Sequence, residues 1–193
     1  MASQSQVLLS KIKECNTCVG KLPYSPRPII QYSPNCRVLV IGQAPGVKAH
    51  DSAKPWNDAS GQRLRDWLGM NKTTFYDDKS VALIPMGFCY PGKGTSGDLP
   101  PRPECAPQWH GQLISKLPTH ATFLIGQYAQ SYYLKDKCSL TERVKNWRKY
   151  QPEYFVLPHP SPRNNIWLKR NAWFENDVIP LIRERVRTLL KQS

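Results

Sequence analysis

The chain has 193 residues, enough for one domain with a sizeable core, and its 40% hydrophobic and 21% charged residues exclude a mainly disordered or fibrous protein. No apolar run approaches the roughly 18 residues that cross a bilayer, and the first residues lack a secretory signal's apolar stretch and cleavage site, so a soluble, intracellular, cytoplasmic protein with no membrane partner is expected. Lys plus Arg number 27 against 14 Asp plus Glu, a formal charge of +13, and that excess points to a polyanion, best a nucleic acid; a generic solubilising surface is the plainer reading.

In chain order, a helical pattern over 4–14 leads into a Cys-x2-Cys pair and a Pro-rich stretch, 23–34, which reads as an extended connector laid on the domain. A strand over 37–42 (RVLVIG) follows, then GQAPG (42–46), an irregular stretch over 47–60 and a helix over 61–68. A second strand, 80–85 (SVALIP), runs into MGFCYPG (86–92) and a long irregular stretch over 89–104. A helix over 106–117, a strand over 121–126 (ATFLIG) and helices over 127–134 and 140–150 come next. The last strand, 154–158 (YFVLP), is followed by HPSPRNN (159–165) and a helix over 175–191.

Apolar strands that close on Gly or Pro and alternate with helices predict an α/β protein. The expected architecture is a single three-layer α/β/α domain over 1–193 with a central, mainly parallel four-stranded sheet, onto which residues 1–36 pack. In such sheets ligands bind beyond the carboxyl ends of the strands, so the chemistry belongs to the loops that open at 42, 86, 126 and 159. The two irregular stretches exceed ordinary connection lengths, which marks them as functional candidates.

Six cysteines in a chain of this kind argue for metal ligation or buried thiols over a disulfide framework. Cys15 and Cys18 form a natural chelating pair, and Cys89 and Cys105 lie at the two ends of a long loop that a metal centre could staple down. Zinc and a 4Fe-4S cluster both accept four cysteines, and spacing does not separate them. Cys36 at a strand start and Cys138 on a Lys-rich turn read as structural.

Taken together, GQAPG after the first strand, PWNDASGQRL (55–64), the LIGQYA strand–helix unit and HPSPRN (159–164) after the last strand resemble the uracil-DNA glycosylase superfamily over most of the chain. The cysteine layout is similar to the branch that carries a 4Fe-4S cluster. That resemblance implies Cys15, Cys18, Cys89 and Cys105 as its ligands, with zinc the less favoured alternative. It also implies a monofunctional DNA base-excision enzyme that hydrolyses the N-glycosidic bond of a flipped deaminated base, uracil first, acting as a monomer on DNA.

By this resemblance His159, held between Pro158 and Pro160, is the donor to the departing base, and Gln43 and Asp58 are its catalytic companions, with Asp51 a second candidate carboxylate. Gly42, Ala44, Pro45, Gly46, Met86, Gly87 and Asn164 are expected at the substrate, and Trp56 as the aromatic that stacks on the base. Ser161, Pro162 and Arg163 are the expected DNA contacts, with Lys93, Arg102, Lys169 and Arg170 as candidate groove charges.

Two positions depart from the family pattern. Ala44 stands where the most active branch has an aspartate that orients water, and the stretch Ile84 to Phe88 offers no asparagine to read a uracil edge. Hypoxanthine or xanthine are therefore alternative substrates. A lesion-sensing DNA-binding protein without turnover, and a covalent trap through His50, are alternative functions.

Overall fold

The computed structural model describes residues 3–118 and 120–191, and the remaining positions of the expected domain, 1, 2, 119, 192 and 193, lie outside the described residues. In chain order the strands are β1 (Val38–Ile41), β2 (Val81–Leu83), β3 (Lys93–Gly94), β4 (Gly97–Asp98), β5 (Ala121–Ile125) and β6 (Tyr154–Leu157). β1, β2, β5 and β6 form a wholly parallel sheet in the order β2-β1-β5-β6, with Val38 opposite both Val81 and Ala121, and Phe123 opposite Phe155. Every residue of β1, β2 and β5 is buried, and only Tyr154 of β6 is partly open, as continuous apolar runs require when both faces of a sheet are covered. β3 and β4 make a separate two-stranded antiparallel ribbon inside the long loop.

The helices are α1 (Gln4–Lys13), α2 (Val47–Ser52), α3 (Ala59–Leu68), α4 (Lys72–Phe75), α5 (Gly111–Ile114), α6 (Gly126–Leu134), α7 (Leu140–Lys145), α8 (Asn165–Arg170) and α9 (Ile179–Leu190). Side chains start several of them: Ser3 and Ser139 close capping boxes on α1 and α7, and Asp58 and Asn71 cap α3 and α4. The expected helix over 106–117 opens as a π-helical turn, Ala106–His110, before α5, and the expected C-terminal helix opens likewise over Phe174–Val178 before α9. The expected helix over 140–150 breaks at Asn146, whose amide turns back to the Glu142 carbonyl (2.9 Å), and continues as a 3-10 turn. The irregular stretch 47–60 contains α2 and the start of α3, and α4, α8 and the ribbon are too short to show periodicity in sequence.

Residues before the sheet are tied to it. Leu8 and Ile12 of α1 enter the core, the Ile29 N–H donates to the Phe88 carbonyl (2.8 Å), and Gln31 bridges antiparallel to Leu83, which shields the open edge of β2. His110 is buried in the core at 2% exposure, with Nε2 3.0 Å from the Pro85 carbonyl and Nδ1 2.6 Å from the Tyr133 hydroxyl. Burial pushes its pKa down to about 4, so the ring is neutral, with Nε2–H donating to Pro85 and Nδ1 accepting from Tyr133. No helix among the described residues is long and apolar enough to cross a membrane.

The chain leaves β1 for β2 on one side and returns for β5 on the other, so the topology switches beside β1. A crevice is expected beyond the carboxyl ends of β1 and β5.

Candidate active site

An open cavity of about 470 Å³ lies at that edge, within the roughly 300–1,000 Å³ range of small-molecule sites. Its wall collects Gly42 to Gly46 after β1, Pro85 after β2, Tyr128 after β5 and His159 after β6, together with Trp56, Asp58, Ser161, Arg163 and Asn164. Most of the expected site residues thus meet around one space. Met86, Gly87 and Pro162 do not line it. Beyond β2 the backbone keeps pairing with the first loop, with Met86 N–H to Gly42 O at 2.9 Å and Gly87 N–H to Gln43 O at 3.0 Å, so Met86 turns into the core and Gly87 packs under Pro101 and Arg102. Pro162 opens a 3-10 turn and faces solvent. After β2 it is Pro85 whose register presents it to the cavity, and the exposed Pro162 stays on the outer surface where a DNA contact was expected.

His159 keeps one edge on the cavity. Burial lowers its pKa and the negative charge of Asp58 opposes that shift, which leaves a neutral ring at neutral pH. The Ser161 N–H donates to Nδ1 (3.2 Å), so the ring hydrogen sits on Nε2 and is free to donate outward. The Asn164 amide donates to the His159 carbonyl (2.7 Å), and Arg63, whose role the sequence did not reveal, reaches the Pro160 and Ser161 carbonyls at 3.4 and 3.3 Å. Asn164 therefore positions the histidine loop while it lines the cavity. Gly126 (φ 80) lets β5 turn where an added Cβ would sit 3.4 Å from the His159 Cβ.

The Trp56 ring stacks on His159 with centroids 5.6 Å apart and planes at 30°. Its backbone is left-handed (φ 56), a conformation that costs a non-glycine residue about 1–2 kcal/mol and needs support. That support is local: the Tyr76 hydroxyl donates to the Pro55 and Trp56 carbonyls at 3.0 and 3.1 Å, and Gly61 leaves room for the Trp56 backbone. Gly42 does the same for the ring, since a Cβ there would lie 2.6 Å from an indole carbon. Asp58 caps α3 through the Gly61 N–H (2.8 Å) and reaches the cavity from there.

Gln43 donates to the Leu99 carbonyl (3.3 Å), and Arg163 donates to the Ser96 carbonyl (2.8 Å), so both grip the loop that carries the β3–β4 ribbon. Ser96, Gly97 and Asp98 thereby become part of the cavity wall. Among the other expected charges, Lys93, Lys169 and Arg170 are exposed, whereas Arg102 pairs with Glu104 (2.6 Å). Asp51 is exposed on α2 and does not line the cavity; nor does His50, which stacks on Tyr24 with centroids 4.9 Å apart.

Cys15, Cys18, Cys89 and Cys105 line one smaller cavity, with Phe88, Glu104 and Trp109 around them. Cys36 instead donates to the Asp78 carbonyl (2.9 Å), and Cys138 is exposed. Burial pushes the Cys89 and Cys105 thiols up to about 12 and about 11, so both would release protons on binding a metal. The Phe88 N–H points at the Cys105 sulfur (3.5 Å) and the Arg27 backbone N–H at Cys89, contacts that favour thiolate. Among the described residues no three or more His, Cys, Asp or Glu close on a point as the shell of a single metal ion. Four soft sulfurs around a common space nonetheless fit a polynuclear iron–sulfur group by donor type.

The sequence pattern of the Uracil DNA glycosylase superfamily matches residues 29–183. Among solved structures, the chain is similar to a Methanosarcina acetivorans protein, provisionally described as a uracil DNA glycosylase, whose structure was solved in solution by NMR. The two share 16% identity over 80% of this chain and 94% of that one, with a TM-score of 0.45.

Proposed function

The chain belongs to the uracil DNA glycosylase superfamily, and on that footing we propose that it excises a deaminated base, uracil first, from DNA. The nucleotide rotates out of the helix into the cavity at the sheet edge, and its N-glycosidic bond is hydrolysed there. The observation that carries the reading is the state of His159: a neutral ring on the cavity wall whose Nδ1 is taken by the Ser161 N–H, which leaves the hydrogen on Nε2.

As the bond breaks, negative charge grows on the base and positive charge on the sugar. A preorganised Nε2–H at the base oxygen stabilises the first, by about 3 kcal/mol or roughly a hundredfold in rate. The Asp58 carboxylate faces the second. Trp56 lies on the imidazole and offers an apolar surface to the flipped base, a stacking contact of about 1–3 kcal/mol. The +13 charge, with exposed Arg163 and Lys93 near the cavity, supplies phosphate attraction. The wall after β2 presents Pro85 and no amide, which favours a wider choice of base that takes in hypoxanthine and xanthine.

We further propose that Cys15, Cys18, Cys89 and Cys105 hold a 4Fe-4S cluster. Its support is the gathering of these four thiols, out of six, round one small cavity. The hydrolysis transfers no electrons, so when bound the group supplies a crosslink between the N-terminal segment and the loop from Cys89 to Cys105. A brown protein that contains iron fits this reading, and a colourless protein with stoichiometric zinc overturns it.

The enzyme reading is tested with single- and double-stranded oligonucleotides bearing uracil, hypoxanthine or xanthine, followed by alkaline cleavage of abasic sites. Strand breaks with the wild type, reduced about a hundredfold in His159→Ala, are expected. Tight binding without breaks on any substrate would favour a lesion sensor, and an adduct that survives denaturation would favour a covalent trap.

A further inference from the structure

The first loop offers the cavity no acid. Gln43 spends its amide on the Leu99 carbonyl, and Ala44 has no polar side chain. Two carboxylates nevertheless reach this space, Asp58 and Asp98. They differ in what holds them. Asp58 is committed through Oδ1 to the Gly61 N–H as the cap of α3, whereas Asp98 accepts no hydrogen bond from any described residue.

Asp98 ends the ribbon that the long loop lays across Gly42 to Gly46, and its Oδ2 lies 3.2 Å from the point that a Cβ on Gly46 would occupy. It is therefore poised over the same loop that carries Ala44. Two long-range bonds fix the ribbon there, on either side of Asp98 in sequence: Arg163 to Ser96 and Gln43 to Leu99. Gly97 (φ 144) completes the fit, since any side chain there would collide with the Arg163 guanidinium. An exposed two-residue strand is a weak element, yet this one is braced by two residues of separate loops that border the cavity.

We propose that Asp98 accepts the hydrogen bond and then the proton of the attacking water, the role for which Ala44 has no group; the inference rests on the glycosylase reading. The water oxygen forms its bond to C1′ while the bond from C1′ to the base nitrogen breaks. The bonding pair leaves with the base, whose oxygen accepts the Nε2–H of His159, and the water proton passes to Asp98. The freed base then takes a proton from solvent, and Asp98 returns its own to solvent. Partial desolvation of this exposed side chain raises the Asp98 pKa and Asp58 adds to the rise, against the opposing charges of Arg163 and Lys93, and a raised carboxylate is the stronger base.

The test uses the full-length protein with single-turnover cleavage of the best lesion found above, beside binding of an uncleavable analogue and thermal melting. Asp98→Asn is expected to slow cleavage about a hundredfold or more, with melting unchanged and binding unchanged or tighter, because a negative charge leaves a DNA-facing cleft. Asp98→Glu is expected to recover part of the rate. Cleavage by Asp98→Asn at the wild-type rate overturns the proposal, as does a loss explained wholly by weaker binding or by unfolding. If Asp58→Asn abolishes cleavage while Asp98→Asn does not, the water belongs to Asp58. A wild type that cleaves no lesion overturns the glycosylase reading and this proposal with it, an outcome distinct from an active wild type matched by Asp98→Asn.

Discussion

Acid should undo this protein in part through His110. The ring lies at 2% exposure with both nitrogens engaged, to Pro85 and Tyr133, and burial pushes its pKa down to about 4 from an ordinary 6.5. Above pH 6.5 neither the folded nor the unfolded chain holds the extra proton, and the shift costs nothing. As pH falls through 6.5 towards 4, the unfolded chain binds a proton that the folded chain refuses, so stability is lost progressively across that window. At about 1.36 kcal/mol per pH unit, the interval between 6.5 and 4 amounts to about 3 kcal/mol. His110→Gln keeps a donor and an acceptor but removes the titration. The assay is urea unfolding of both proteins from pH 7 to pH 4. The stability gap between them should shrink by about 3 kcal/mol as pH falls, or about 1.5 M in relative midpoint for a slope near 2 kcal/mol/M. Carboxylates, His159 and the cysteine centre titrate in both proteins and cancel in the difference. A gap that stays constant across the range would refute the reasoning, because it would mean that the buried ring takes a proton as easily as a free one.

Two further substitutions test how the cavity is supported. Gly61→Ala places a Cβ inside the contact radius of the Trp56 carbonyl oxygen and 2.9 Å from its Cβ, so we expect about 3 kcal/mol lower stability in urea unfolding and slower base excision as the indole moves off His159; a normal midpoint would contradict the packing. Cys89→Ser should lower the melting temperature before it lowers cleavage per folded molecule, and a normally stable variant with cleavage selectively abolished would show that the cysteine centre does more than crosslink.

The sheet was legible because each of its strands is a short unbroken apolar run with a turn residue at its end, and burial on both faces leaves that mark. The place of His159 on the cavity wall was legible for the same reason, since it stands immediately beyond such a run between two prolines. What the sequence hid depends on register and on distance. Pro85 and Met86 are neighbours of similar apolar character, and only continued backbone pairing with Gly42 decides that the first faces the cavity and the second the core. Asp98 lies in a ribbon of two-residue strands, too short for any period, and Arg63 reaches carbonyls 97 and 98 residues away, a contact that no local pattern encodes. Trp56 was recognisable as an aromatic at the site. Its left-handed backbone and its contact with His159 were not, because both follow from a glycine five positions later that reads in sequence as an ordinary helical residue.

One helix gathers much of what surrounds the reactive space. Asp58 caps the first turn of α3, Gly61 makes room beneath Trp56, and Arg63 clasps the carbonyls that follow His159, while at the far end Arg183 of α9 donates to the Asp66 carbonyl at 2.9 Å. Anion, indole and imidazole loop are therefore all braced by one helix. Across the cavity stand Gly42 to Gly46 and the ribbon, which the imidazole loop grips through Arg163 and Ser96. Exchanges at the α3–α9 seam, remote from the cavity, are thus expected to shift this group against Asp98, changing rate and base choice together.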